Sequence, residues 1–173
     1  MTQVSITLRK ATEQDASILS DIGINSYCHH FAALWNNQDE LLDYLDQEYS
    51  PVKIINDINQ QNIEWYLIEH SSPIGLVKLT HQSSIPESSI TGTLLNKLYF
   101  SPDVTGKGYG MIVFRLIENI AKQSGSTALW LDVLASNARA IKLYQSNGLH
   151  ILKEVLFKSK TQQTLEYIMS KTL

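Results

Sequence analysis

The chain has 173 residues, 43% hydrophobic and 18% charged, with a formal net charge of −3. That length and apolar content suit one domain, residues 1–173, with a sizeable core. Its lysines are scattered singly, which excludes a nucleic-acid-binding face, and no apolar run approaches membrane-spanning length. Cys28 is the only cysteine, so neither an intrachain disulfide nor a thiolate metal cluster is expected. The five histidines, apart from the His29-His30 pair, carry no zinc spacing. No metal is expected. Met1-Thr2-Gln3-Val4 lacks a basic-then-apolar signal, and a reducing cytoplasm is the default expectation. A small acidic excess is compatible with a cationic substrate without establishing one.

In chain order, residues 4–9 alternate as a short strand. Thr12-Glu13-Gln14-Asp15 reads as a helix start with a capping oxygen, and the helix continues to about Tyr27. A second helix is expected over 38–46, with Leu41, Leu42 and Leu45 on one side. Ser50-Pro51 reads as the cap and first position of a third, reaching about Asn59. Residues 63–69 and 74–79 form strands joined by a turn at 70–75. Residues 81–91 read as a polar, serine-rich loop. A strand over 94–100 precedes a helix over 108–123, which ends near Gly125. Residues 128–134 are apolar almost throughout, as a strand buried on both faces requires. Ser136-Asn137 caps the next helix, which stops at Asn147-Gly148, and strands over 150–157 and 164–169 close the chain. The expected class is α/β, a mixed, mostly antiparallel central sheet of about seven strands flanked by helices.

The most informative segment is Leu98-Tyr99-Phe100-Ser101-Pro102-Asp103-Val104-Thr105-Gly106-Lys107-Gly108-Tyr109-Gly110. Three glycines at every second position, just before a helix, leave backbone N–H groups uncovered beside the positive helix end. That is a site for a phosphate or pyrophosphate. A Walker loop needs Lys-Ser or Lys-Thr after its last glycine, and here Met111-Ile112 follows. The dinucleotide fingerprint needs Gly-x-Gly-x-x-Gly, and here the third glycine falls one position short. Taken alone, the loop also reads as a glycine-rich turn with no ligand.

Thr105-Gly106-Lys107-Gly108-Tyr109-Gly110 resembles the pyrophosphate loop of the GCN5-related N-acetyltransferase (GNAT) family, Gln/Arg-x-x-Gly-x-Gly/Ala, at every position but the first. About 30 residues on, Asn137-Ala138-Arg139-Ala140-Ile141-Lys142-Leu143-Tyr144-Gln145-Ser146-Asn147-Gly148-Leu149 is similar to that family's Asn-x-x-Ala-x-x-x-Tyr-x-x-x-Gly-Phe helix. Both motifs fall in order on the expected elements, and the element order matches the family from end to end. Within it, the chain resembles the bacterial PaiA-group polyamine (spermidine/spermine) acetyltransferases. That likeness rests on Tyr27-Cys28-His29-His30-Phe31, Tyr44-Leu45, Leu98-Tyr99-Phe100 and the closing Ile168-Met169-Ser170-Lys171-Thr172-Leu173.

The resemblance implies acetyl-CoA as cosubstrate. It places the pyrophosphate on the amides from Gly106 to Gly110, with Lys107, Arg139 and Lys142 available for phosphate charge. The pantetheine arm would lie along Leu98, Tyr99 and Phe100, with the Leu98 N–H at the oxyanion. Asn137 belongs to the same motif. Tyr144 matches the family's general acid, which protonates the leaving thiolate. The two are seven residues apart, so they share a helix face. Thr105 replaces Gln or Arg and keeps a hydroxyl for a phosphate oxygen. Where many relatives carry a Glu base this chain has Leu94, so the amine proton must leave through water or through His81, Glu64 or His30. Tyr27, His29, His30, Phe31, Trp35 and Tyr44 are candidates for lining a substrate pocket or for closing the core between helices.

These residues lead to an expectation of N-acetylation of a small primary amine, a polyamine among the candidates, by direct attack in a ternary complex. Two rivals are a non-catalytic acyl-CoA-binding module on the same fold and an acetyltransferase of peptide amino groups. Neither nucleic acid nor a membrane is an expected partner. Dimers are frequent in the family, though no patch in the sequence demands one.

Overall fold

A computed structural model of the chain describes residues 5–173. Its seven strands are β1 (Thr7–Lys10), β2 (Ile63–His70), β3 (Ser72–Ser84), β4 (Thr91–Phe100), β5 (Ala128–Leu134), β6 (His150–Lys158) and β7 (Gln163–Thr172). They form one sheet in the order β1-β2-β3-β4-β5-β7-β6. β1 pairs antiparallel with β2, and β7 antiparallel with β5 and β6. The helices are α1 (Ala16–Phe31), α2 (Gln38–Tyr49), α3 (Pro51–Ile58), α4 (Tyr109–Gln123) and α5 (Ala138–Ser146). β4 pairs parallel with β5, and α4 makes the crossover between them. This is the mixed, mostly antiparallel α/β class expected from the sequence. The start of the first expected strand, at Val4, lies outside the described residues.

The described residues group into two compact units. One runs up to Lys78 and adds Lys97–Tyr109; the other holds Leu79–Asn96 and Gly110–Leu173. In the first, Asp15 accepts the Thr12 N–H at 2.8 Å, closing the short turn Glu13–Asp15 ahead of α1, and pairs with Arg9 at 3.0 Å. Asn37 caps α2 through Glu40 N–H, and Ser50 caps α3 through Lys53 N–H, with Pro51 at its first position. Leu19, Leu41, Leu45, Ile54, Leu67 and Leu76 bury the facing sides of α1–α3, β2 and β3. Within this core Asp57 is wholly buried between Lys53 (2.7 Å), Lys78 (2.8 Å) and the Trp65 indole N–H (3.1 Å). Burial raises its proton affinity, but these partners hold its carboxyl below the usual range. The turn expected over 70–75 shrinks to Ser71, at φ 64°, because β3 begins at Ser72.

In the second unit the polar loop expected over 81–91 narrows to residues 85–90, since β3 runs to Ser84 and β4 starts at Thr91. The Trp130 indole donates to the Ser83 carbonyl at 3.0 Å, the Ser84 and Thr91 hydroxyls bond at 2.9 Å, and Ile85 is buried with Trp130 and Ile168. Tertiary partners thus carry β3 through Ser84 despite the loop-like composition there. Val113, Phe114, Ile117 and Ala121 form the buried stripe of α4 at helical spacing. A Cβ on Gly110 would lie 3.2 Å from Leu143 Cδ2, so α4 and α5 approach closely there. Gly148, at φ 87°, follows the end of α5.

Candidate functional site

In the first unit β4 ends at Leu98-Tyr99-Phe100, all half-buried. Ser101 N–H donates to the Ile74 carbonyl at 2.8 Å. β3 passes so close that a Cβ on Gly75 would lie 2.4 Å from the Tyr99 carbonyl oxygen. A short turn at Pro102–Val104 leads into the loop. Gly106 and Gly108 adopt φ of 80° and 77°, and nothing lies within 4 Å of a Cβ built on Gly108. Gly106, Lys107 and Gly108 are exposed, and among the described residues their backbone N–H groups donate to none. Left-handed glycines with outward amides form an anion-binding concavity, so the loop fits a pyrophosphate. The Thr105 hydroxyl donates to the Pro102 carbonyl at 3.0 Å. That contact closes the turn that leads into the loop. Tyr109 stacks its ring on His70, at 6.1 Å between centroids.

The same unit gathers aromatic rings from α1, α2 and β4. Tyr27 lies 5.0 Å from Phe31, 4.9 Å from Tyr44, 6.1 Å from Tyr49 and 6.4 Å from Tyr99, between centroids. The Trp35 indole donates to the Tyr27 hydroxyl at 3.1 Å. Buried Lys97 pairs with Glu48 at 2.7 Å and places its ammonium 4.7 Å from the Tyr49 ring centre. Tyr27, Phe31, Trp35 and Tyr44 thus come together as the sequence suggested, whereas His29 and His30 are exposed at the end of α1. Tyr49 and the Tyr99 ring were missed, since their spacing reads only as packing. Cys28 packs half-buried against the helical core.

In the second unit Asn137 is the cap of α5, its side-chain oxygen accepting Ala140 N–H at 3.2 Å. One turn of its expected function is therefore structural: it fixes where the helix bearing Tyr144 begins. Tyr144 packs on Phe114, 5.8 Å between centroids, and burial pushes its phenol up to about 12. A phenol so protonated is a proton donor and not a base at neutral pH. Two carboxylates stand on neighbouring strands, Asp132 on β5 and Glu166 on β7, with Glu166 in register with Leu134. Burial raises both, and burial followed by the Asp132 charge takes Glu166 to about 7. The sequence offered no signal for Glu166, which pairs across strands with a residue 32 positions away.

The other base candidates are engaged. Glu64 accepts from Lys10 Nζ at 2.7 Å and from the Tyr66 hydroxyl at 2.5 Å. His81 Nδ1 bonds the Thr93 hydroxyl at 2.9 Å, a structural contact. Lys107, Arg139 and Lys142 extend no ion pair to a described residue. No group of three or more His, Cys, Asp or Glu among the described residues is arranged to hold a metal ion. No described helix is long and apolar enough to cross a membrane.

A family model described as Acetyltransferase (GNAT) family matches residues 26–149. The [Ribosomal protein bS18]-alanine N-acetyltransferase of Salmonella typhimurium is 32% identical over 77 residues, 42% of this chain and 52% of that one. The fold is similar to a PaiA N-acetyltransferase from Thermoplasma acidophilum solved with coenzyme A, at TM-score 0.76 and 22% identity, covering 98% of this chain and 99% of the other. It is also similar to the spermidine/spermine N-acetyltransferase SpeG of Vibrio cholerae, at TM-score 0.67 and 17% identity, covering 97% and 95%.

Proposed function

The chain belongs to the acetyltransferase (GNAT) family and is an acetyl-CoA-dependent N-acetyltransferase, and we propose that it acetylates a primary amine of a small molecule by direct attack. The observation that carries this reading is the exposed Gly106–Gly108 loop, with left-handed glycines and uncovered amides running straight into α4. A helix end alone supplies only about 0.3–1 kcal/mol toward an anion. The directed N–H groups of Gly106, Lys107, Gly108, Tyr109 and Gly110 therefore do most of the holding, with Thr105 shaping the loop. Leu98, Tyr99 and Phe100 hold the amide arm through their backbone, and the Leu98 N–H donates to the carbonyl oxygen as charge develops there.

Acetyl-CoA, when bound, supplies the acetyl thioester. The amine attacks its carbonyl carbon, the C–S bond breaks, and Tyr144 gives its proton to the departing sulfur, Asn137 having set the helix that carries it. An alkylamine of pKa ~10.4 must first lose its own proton, a cost of roughly 4–5 kcal/mol at neutral pH. With Leu94 where relatives carry a Glu base, that proton leaves through water. Cys28 forms no acetyl-enzyme, being packed against the helical core. The likeness to SpeG supports a polyamine among the acceptors. The partial match to the ribosomal-protein acetyltransferase carries a second reading, a peptide amino group.

Calorimetric titration with acetyl-CoA, with NADH and ATP as controls, tests the first half of this reading, and heat from acetyl-CoA alone is expected. Cys28→Ala is expected to keep full turnover with intersecting initial-rate patterns. Loss of turnover in that variant would replace direct attack by an acetyl-enzyme, and faster turnover of a short peptide than of any small amine would establish the second reading.

A further inference from the structure

We propose that Lys171 is a positioning residue for the proton transfer: its ammonium ties the C-terminal end of α5 to α4 and β7, and so holds Tyr144 in line with the departing sulfur. The inference rests on the reading of Tyr144 as the acid that protonates the leaving thiolate. None of the nine residues of α5 is wholly buried, so the helix is not seated by a core of its own. Tyr144 also lies in its last turn, where backbone carbonyls have no partner further along the helix. Polar contacts hold that turn instead. Asn147 N–H and Leu149 N–H donate to the Tyr144 carbonyl at 3.0 and 3.1 Å. The Asn147 side-chain amide donates to the Leu143 carbonyl at 2.8 Å, and Lys171 Nζ donates to the Asn147 carbonyl at 2.7 Å.

The same ammonium pairs with Glu118 of α4 at 2.6 Å, and both side chains are largely shielded from solvent. Lys171 is itself planted on the sheet, in register with Leu129 across the β5–β7 ladder. One charge therefore joins α4, α5 and the sheet within the second unit. α5 has no basic residue in its last turn, so the cation that favours a helix C-terminus is supplied from β7. Gly148 leaves room for it, since a Cβ there would lie 3.4 Å from Lys171 Nζ. Removing the ammonium would strand a shielded carboxylate and the Asn147 carbonyl, and release the turn that carries Tyr144. A proton passed from that phenol to a thiolate moves uphill, so even a small misdirection of its O–H is costly.

Coenzyme A is the probe, because its thiolate is the species that Tyr144 protonates and no acceptor has to be chosen. The pKa of its thiol when bound is read from the ultraviolet absorbance of the thiolate. A donor aimed at the sulfur stabilises the thiolate, so in the unaltered protein the bound thiol is expected to titrate about 1 pH below the free one. In Tyr144→Phe it is expected to titrate as the free thiol does. Lys171→Met is expected to lose most of the lowering with CoA affinity by calorimetry unchanged, and Lys171→Arg, which keeps a cation there, to restore most of it. In the Tyr144→Phe background Lys171→Met is expected to change nothing further, since a residue acting through another has no effect once the other is gone. Where Lys171→Met fails to fold, Glu118→Gln, which loosens the ammonium without removing it, repeats the test. A lowering that survives both variants, or a further change in the Tyr144→Phe background, overturns the positioning role alone. A bound thiol that titrates as the free one in the unaltered protein would instead refute Tyr144 as the acid, and the inference with it.

Discussion

At the scale of single residues the proposed chemistry turns on Tyr144. Its phenol, at about 12, is protonated at neutral pH, and giving that proton to a thiolate whose conjugate acid lies at ~8.5 is uphill, so the transfer depends on alignment with the departing sulfur. Tyr144→Phe is expected to lower kcat by about 100-fold or more while leaving acetyl-CoA affinity unchanged by calorimetry. Equal losses in both would make Tyr144 a packing partner of Phe114. Glu166 gives a stability test whose sign is fixed. Its folded value of about 7 lies above the ~4.3 of an unfolded carboxyl, so the folded protein holds the proton more tightly. That contribution is complete below about pH 4.3 and is lost as pH rises through about 7. Glu166→Gln, neutral throughout, is expected to melt close to the unaltered protein at pH 5 and a few degrees above it at pH 8, and a gain confined to low pH would contradict the assignment. Tyr144 was legible because its spacing from Asn137 is local to one helix. Glu166 was not, because what perturbs it is burial beside Asp132 on another strand.

Elements are set by glycines at few but decisive places. Gly108, at φ 77°, faces open space, so an alanine there meets no clash and suffers only the left-handed penalty, about 1–2 kcal/mol. Gly108→Ala is accordingly expected to weaken acetyl-CoA about tenfold with a small loss in Tm, and unchanged affinity would remove the loop from the cofactor site. Gly23 on α1 has the opposite character: a Cβ there would lie 2.3 Å from Tyr49 Cδ1. Gly23→Ala forces the Tyr49 ring aside, an overpacking that costs about 1–3 kcal/mol. A Tm lowered by several degrees is the expected result. The loop before α4 could be read from sequence because Gly-x-Gly-x-Gly states its backbone directly. The ends of the β3–β4 hairpin could not, because Ser83 and Ser84 are held as strand through Trp130 and Thr91, and Ile85 beyond them is buried against Trp130 and Ile168.

For the whole molecule, the order of helices and strands followed from apolar periodicity and from the caps at Asn37, Ser50 and Asn137, all of them local signals. The aromatic cluster did not, since Tyr27, Tyr44 and Tyr99 meet only when α1, α2 and β4 pack within one unit. Net charge misleads in the same way: −3 over the chain conceals five carboxylates and no cation on α2 alone. The central claim is that this chain joins an acetyl group to a small amine, and the most direct measurement is CoA thiol release from acetyl-CoA across a panel of mono-, di- and polyamines. The account predicts release that saturates with amine concentration, matched by acetylated amine in mass spectra. Tight acetyl-CoA binding with release no faster than in the absence of amine would contradict it and leave a cofactor-binding module without the transfer.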